Sequence, residues 1–299
     1  MAVLLAKLLL APACVVAVSL AGRRWGMAVA GILGGLPVVA GPILVVLTLV
    51  HGPEFGAKAA AGTLLGLAAL TLFVVVYGKA SERSGPTLSL LAGWAAFLLG
   101  VAILQLLDVP PGVSLAFVAA CFAVGLALFP GPTEPPTALT PPPWWDLPAR
   151  GLAALALAVA LTAASGALGP SLSGLLAPFP VITSVLAVFT HIHDGVGQVR
   201  VLLRNFLVGF YGFAVFCFVL ASTLDSLSGP AAFSIALAAA LATQATIYAL
   251  SSRRLRPQAA EGSPEANSME EIRKRTGTSP TDLMEFDRRC GSLPTDGEE

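Results

Sequence analysis

The sequence predicts an all-α integral membrane fold: nine transmembrane helices in an inverted-topology repeat, with helices one to four pairing with six to nine and the fifth as the inverting crossing. Three observations predict it. Apolar runs of about 18 to 24 residues recur along the chain, each long enough to cross a hydrocarbon core of about 30 Å. They do so in a chain that is 56% hydrophobic and only 11% charged, a balance that no water-soluble domain needs. A stretch of the first half returns 143 positions later in the second half. Finally, the basic residues fall almost entirely on one side once the runs are taken to alternate across the bilayer.

In chain order, the first run, 3–21, has Lys7 ahead of an apolar segment, as a signal peptide would. Its repeat partner, near 147–164, lies deep inside the chain, so a retained helix is expected. Runs 28–50, 57–77, 88–107 and 113–129 follow, each bounded by Gly, Pro or charge. Residues 130–150 hold eight prolines and the pair Trp144 and Trp145, the composition of a stiff, extended linker that meets a membrane interface. The second half, 151–250, supplies runs 152–168, 172–191, 201–221 and 231–250. From 251 to 299 the chain is polar, with Arg253, Arg254 and Arg256 directly after the last run. It reads as a largely disordered cytoplasmic tail, with short helices expected near 268–275 and 281–289.

The repeat is clearest between 31–51, GILGGLPVVAGPILVVLTLVH, and 174–194, GLLAPFPVITSVLAVFTHIHD. Without a gap, Gly31 falls on Gly174, Pro37 on Pro180, Val45 on Val188 and Gly52 on Gly195. Each copy carries a proline in mid-run, which removes a helix hydrogen bond and clashes with the preceding turn. The offset spans five crossings, an odd number, so the copies must run in opposite directions.

Charge distribution agrees. One side of the membrane receives Arg23, Arg24, Lys79, Arg83, Arg150, Arg200, Arg204 and the basic tail, whereas the other receives Lys7 and Lys58. Cytoplasmic loops carry such an excess, which puts the amino terminus outside, the carboxyl terminus in the cytoplasm, and the protein in the cell (inner) membrane. Before the Pro37 run stand Arg23 and Arg24; before the Pro180 run stands the uncharged turn Gly169-Pro170-Ser171. After the two runs the bias reverses, as inversion requires.

Pairs of interrupted helices at matching places are the sequence pointer to a transport site, because freed amides and carbonyls can coordinate a polar or anionic solute. Gly34, Gly35, Pro37, Gly41 and Pro42 in one copy, and Pro178, Pro180, Thr183 and Ser184 in the other, are the candidate substrate-binding or hinge residues. The competing explanation is that Gly and Pro only permit close helix packing. Gln105 and Gln244, in the partner helices four and nine, are expected to flank the same cavity. Ionisable residues are missing from the middle of every run, and Glu54, Asp108, Asp194 and Asp225 sit at run ends, where a solvated loop carboxylate is the simpler reading. His191, His193 and Asp194 form the densest ligand set, yet residues two apart point to different sides of a helix and no further His or Cys completes a metal site. With Arg200, Arg204 and Asn205 they are read as a cytoplasmic gate or as contacts to anionic headgroups.

Cys14, Cys121, Cys217 and Cys290 stand singly, without a disulfide or metal pattern. There is no phosphate loop, HExxH, nucleophile elbow or pair of membrane aspartates, so no enzyme and no cofactor are expected. The basic tail is explained as a topology determinant, and no nucleic-acid partner is expected. The sequence therefore predicts a multi-pass permease for a small solute in a lipid bilayer. The alternative is a membrane scaffold or assembly subunit whose tail recruits a cytoplasmic protein.

Overall fold

The structure, a computed structural model, describes residues 2–37, 40–106, 109–129, 143–175 and 179–261. Every element among them is a helix: α1 Ala2–Trp25, α2 Met27–Gly34, α3 Ala40–His51, α4 Pro53–Ala80, α5 Pro86–Leu104, α6 Pro111–Leu128, α7 Asp146–Leu175, α8 Val181–His193, α9 Gly195–Thr223 and α10 Gly229–Glu261. Pro178, Asp108, Cys290, the prolines of 130–142 and the expected tail helices lie outside the described residues.

Among the described residues five helices, α4, α5, α6, α9 and α10 over Gly229–Ile247, are long and apolar enough to cross a membrane, and α3 and α8 are shorter apolar helices. Within those spans 72% of α4 and 61% of α9 is buried, against 33%, 22% and 17% for α5, α6 and α10, so α4 and α9 form the centre and the others a rim. The rim turns Leu91, Leu99, Ile103, Val124 and Leu241 outward, an apolar surface that suits hydrocarbon and not water.

The central pair is antiparallel. A Cβ on Gly78, near the end of α4, would stand 3.5 Å from Leu203 Cδ1 at the start of α9, and one on Gly56, at the start of α4, would stand 3.2 Å from Leu224 Cδ1 at the far end. α1 and α7 are antiparallel too, since Arg23 reaches Asp146 while Gly151 packs on Val16. α2 runs alongside α9 at backbone contact: a Cβ on Gly35 would meet Gly209 Cα at 2.7 Å, and one on Gly34 the Phe206 ring at 2.7 Å. Small residues at such a spacing let membrane helices approach this closely. α6 closes the core through Phe122, which packs edge-on against Tyr211 and tilted against Phe210.

Element boundaries depart from the sequence reading in four places. Run 28–50 holds two helices, α2 and α3, interrupted around Pro37. α7 begins at Asp146, inside the expected linker, because Pro148 falls in its first turn, where a missing N–H costs nothing. α7 then continues through Gly169 and Pro170 to Leu175, where the sequence predicted a turn, and the second interruption comes just before Val181. α10 also runs past the apolar segment to Glu261, so Arg253, Arg254 and Arg256 are helical. The chain divides into two compact units, 1–244 and 245–299.

Candidate functional site

Two features of the first unit concentrate polar chemistry: the helix breaks and a charged centre at one end of the bundle. At the first break the α2 ladder closes with Gly35 N donating to Gly31 O at 3.0 Å and restarts with Gly41 N donating to Pro37 O at 2.8 Å. Pro37 is buried, as are Gly35 and Gly41, and Gly41 faces the Phe216 ring. Pro42 is exposed.

At the second break Pro180 is buried and is the N-cap of α8. Thr183 and Ser184 are buried in its first turn. Trp94 Nε1 of α5 donates to Ser184 Oγ at 2.9 Å, and Phe179 packs against both Trp94 and Phe97. Each break is thus seated on a helix of the other half, the first on α9 and the second on α5. Gln105 and Gln244 have separate surroundings. Gln105 is exposed at the C-cap of α5, whereas the Gln244 amide is buried against Gly212 with no hydrogen-bond partner among the described residues.

The charged centre is built on Asp146, a fully buried carboxylate at the start of α7. Arg23 Nη2 of α1 reaches its Oδ2 at 2.6 Å, Arg150 Nε one turn along α7 reaches the same oxygen at 2.8 Å, and His193 Nε2 of α8 stands 3.2 Å from Oδ1. Arg150 also lies over the Phe189 ring at 5.1 Å, and Trp145 packs on His193. Burial alone would push the Asp146 carboxyl up, but hydrogen bonds and charge from Arg150 and Arg23, with the charge of His193, hold it below the usual carboxylate range. Asp194 beside it goes the other way: burial raises its carboxyl, only partly opposed by Arg150 and His193.

The expected gate residues distribute over this same end. His191 Nδ1 and Tyr77 Oη of α4 lie 3.5 Å apart, so His191 and His193 do face different neighbours. Arg200 pairs with Glu82 at 3.5 Å, and Arg204 donates to the carbonyls of Leu126 and Phe129 that finish α6. Asn205 donates to Val201 O of its own helix and packs its Cβ against Gly31. Arg23, Arg150, Arg200 and Arg204 therefore tie together the ends of α1, α4, α6, α7, α8 and α9. Lys58 and Glu54 pair at 2.7 Å on the exposed start of α4, about a bilayer's thickness from Glu82. Among the described residues no group of three or more His, Cys, Asp or Glu could hold a metal ion.

Asp146, Arg23 and Arg150 are the part that the sequence reading missed as a site. Its signal was an acidic and a basic residue at i and i+4 just ahead of an apolar run, masked by the surrounding prolines. No protein family, curated protein or solved structure matches the chain.

Proposed function

We propose that this protein is a multi-pass permease for a small polar or anionic solute, working by alternating access between two inverted halves. The observation that carries the proposal is the pair of helix breaks, each at a buried proline and 143 positions apart, on a framework whose matching helices are antiparallel. Other elements keep the same offset. α4 ends at Ala80 and α9 at Thr223; α5 starts at Pro86 and α10 at Gly229. Gly52, the N-cap of α4, and Gly195, the first residue of α9, both adopt positive φ, 92° and 81°. Two copies that can exchange conformations open one site to alternate sides of a membrane. α3 and α8 begin at the breaks, so the positive ends of both helices point toward the interruption, which favours an anionic group on the solute. The gathering of arginines at one end fits the cytoplasmic face under the positive-inside rule, with the carboxyl terminus on that side.

The test begins with purified protein in detergent and a panel of small polar and anionic solutes, scored by thermal stabilisation. The strongest binder is then followed as flux into reconstituted vesicles. Pro37→Ala and Pro180→Ala, each of which removes the proline from a break, are expected to reduce that flux strongly while the protein remains folded. Unaltered flux in both variants would remove the paired breaks from the mechanism, and a bound solute that never crosses the vesicle would remove transport itself.

A further inference from the structure

The geometry points to Asp146 as the keystone of a charge latch that shuts the arginine-rich end of the bundle. Three helices meet at one buried carboxylate: Arg23 from the last turn of α1, Arg150 from α7, and His193 from the last turn of α8. Further layers lie around it. Phe189 sits beneath Arg150, Trp145 covers His193, and one face of α8 continues inward through Thr190, Ala187 and Ser184, all buried, toward the break at Pro180. α8 is thus the rod between latch and break, and separation of His193 from Asp146 would free its outer end.

The latch belongs to one end of the molecule. Carried across the 143-residue offset, Asp146 falls on Val3, His193 on Val50 and Arg23 on Gly166, so only Arg150 has a basic counterpart, Lys7. The opposite end cannot form the same ion pairs, and the two closed states of an alternating cycle would be held by different chemistry. A buried carboxylate shared by two arginines resists opening because each charge parted from its partners must be rehydrated or left unpaired. Opening therefore needs a compensating interaction, which solute binding at the breaks would supply.

This inference rests on the permease reading, and the two can fail separately. In a full-length protein with Cys14, Cys121, Cys217 and Cys290 replaced by Ala, a single Ser184→Cys reports access beneath the latch and Gly41→Cys reports the matched position in the other half. A membrane-impermeant maleimide is applied from the arginine-rich side for the first and from the opposite side for the second. Asp146→Asn is expected to speed modification at position 184 by about tenfold or more, equivalent to ~1.4 kcal/mol taken from the closed state. His193→Gln, which leaves both arginines on Asp146 and so preserves folding, is expected to speed it by a smaller factor. Unchanged modification in both variants overturns the latch. A rise at 184 with a fall at 41 supports latch and alternation together, whereas a rise at 184 with no change at 41 keeps the latch and overturns alternating access.

Discussion

Asp146 shows how one residue can be structurally central and still be hard to read from sequence. Its neighbours on the chain are prolines and tryptophans, so 130–150 reads as linker, and only the fold brings Arg23 from 123 positions away. Removing the charge leaves two arginines without their buried partner, and loss of one member of a buried pair costs about 3–5 kcal/mol. Asp146→Asn is thus expected to lower the unfolding temperature in detergent clearly, whereas Glu54→Gln, which removes an exposed pair, should leave it nearly unchanged. The pH dependence follows from the sign of the shift. A carboxyl whose folded pKa is depressed stabilises fully above its unfolded value of about 3.9 and loses that contribution as pH falls through the folded value. The wild type should accordingly lose stability on acidification below about pH 4, and Asp146→Asn should show a shallower loss over that window. Glycines are legible only in part. Gly209 permits the approach of α2, since a Cβ there would meet Ile32 O at 2.6 Å and Gly35 Cα at 2.9 Å, both backbone atoms that cannot give way. Gly209→Ala should destabilise by about 1–3 kcal/mol, and Gly62→Ala, with nothing within 4 Å, should not, both read by thermal unfolding.

At the scale of elements, the apolar runs and their bounding glycines and prolines locate most of the helices, because length and hydropathy are local properties. Breaks inside a run are less legible. Pro37 stands at a true interruption, but Pro170 lies within α7, since a proline obliges the loss of one hydrogen bond and not the end of a helix, and neighbouring helices decide which follows. At Pro180 the run is interrupted where Phe179 packs against Trp94 and Phe97, tertiary contacts that no local pattern contains. The sharp turns into α4 and α9 are clearer. Gly52 and Gly195 adopt positive φ, where an L side chain costs about 1–3 kcal/mol. Gly52→Ala and Gly195→Ala are therefore expected to destabilise by similar amounts in thermal unfolding, although no atom stands within 4 Å of either added Cβ. A large difference between the two would mean that the two turns are not equivalent, contrary to the repeat.

At the scale of the whole molecule, the 143-residue offset and the uneven distribution of arginine are both global sequence properties, and they lead to the same geometry from different physics. The first demands antiparallel partners, which the α4–α9 and α1–α7 contacts are consistent with; the second demands that the basic ends gather, as Arg23, Arg150, Arg200 and Arg204 do. Sequence could not supply which helices form the centre, because α4 and α5 have nearly equal hydropathy and differ only in how much of each is covered by neighbours. The proposed inverted topology makes a demand that simple hydropathy does not: residues matched by the repeat must then lie on opposite faces of the membrane. Glu54 and Gly197 are such a pair, 143 apart, and both are exposed at the first turns of α4 and α9. Single cysteines at these positions, in a cysteine-free background in right-side-out vesicles, should react differently with an impermeant maleimide: Glu54→Cys at once, Gly197→Cys only after the membrane is permeabilised. Arg24→Cys, exposed at the end of α1, should behave like Gly197→Cys, because Arg23 beside it joins the same charged centre as His193. Equal labelling of Glu54→Cys and Gly197→Cys before permeabilisation would place both copies in the same direction, and neither the exchange of conformations between halves nor a one-ended charge latch could then stand.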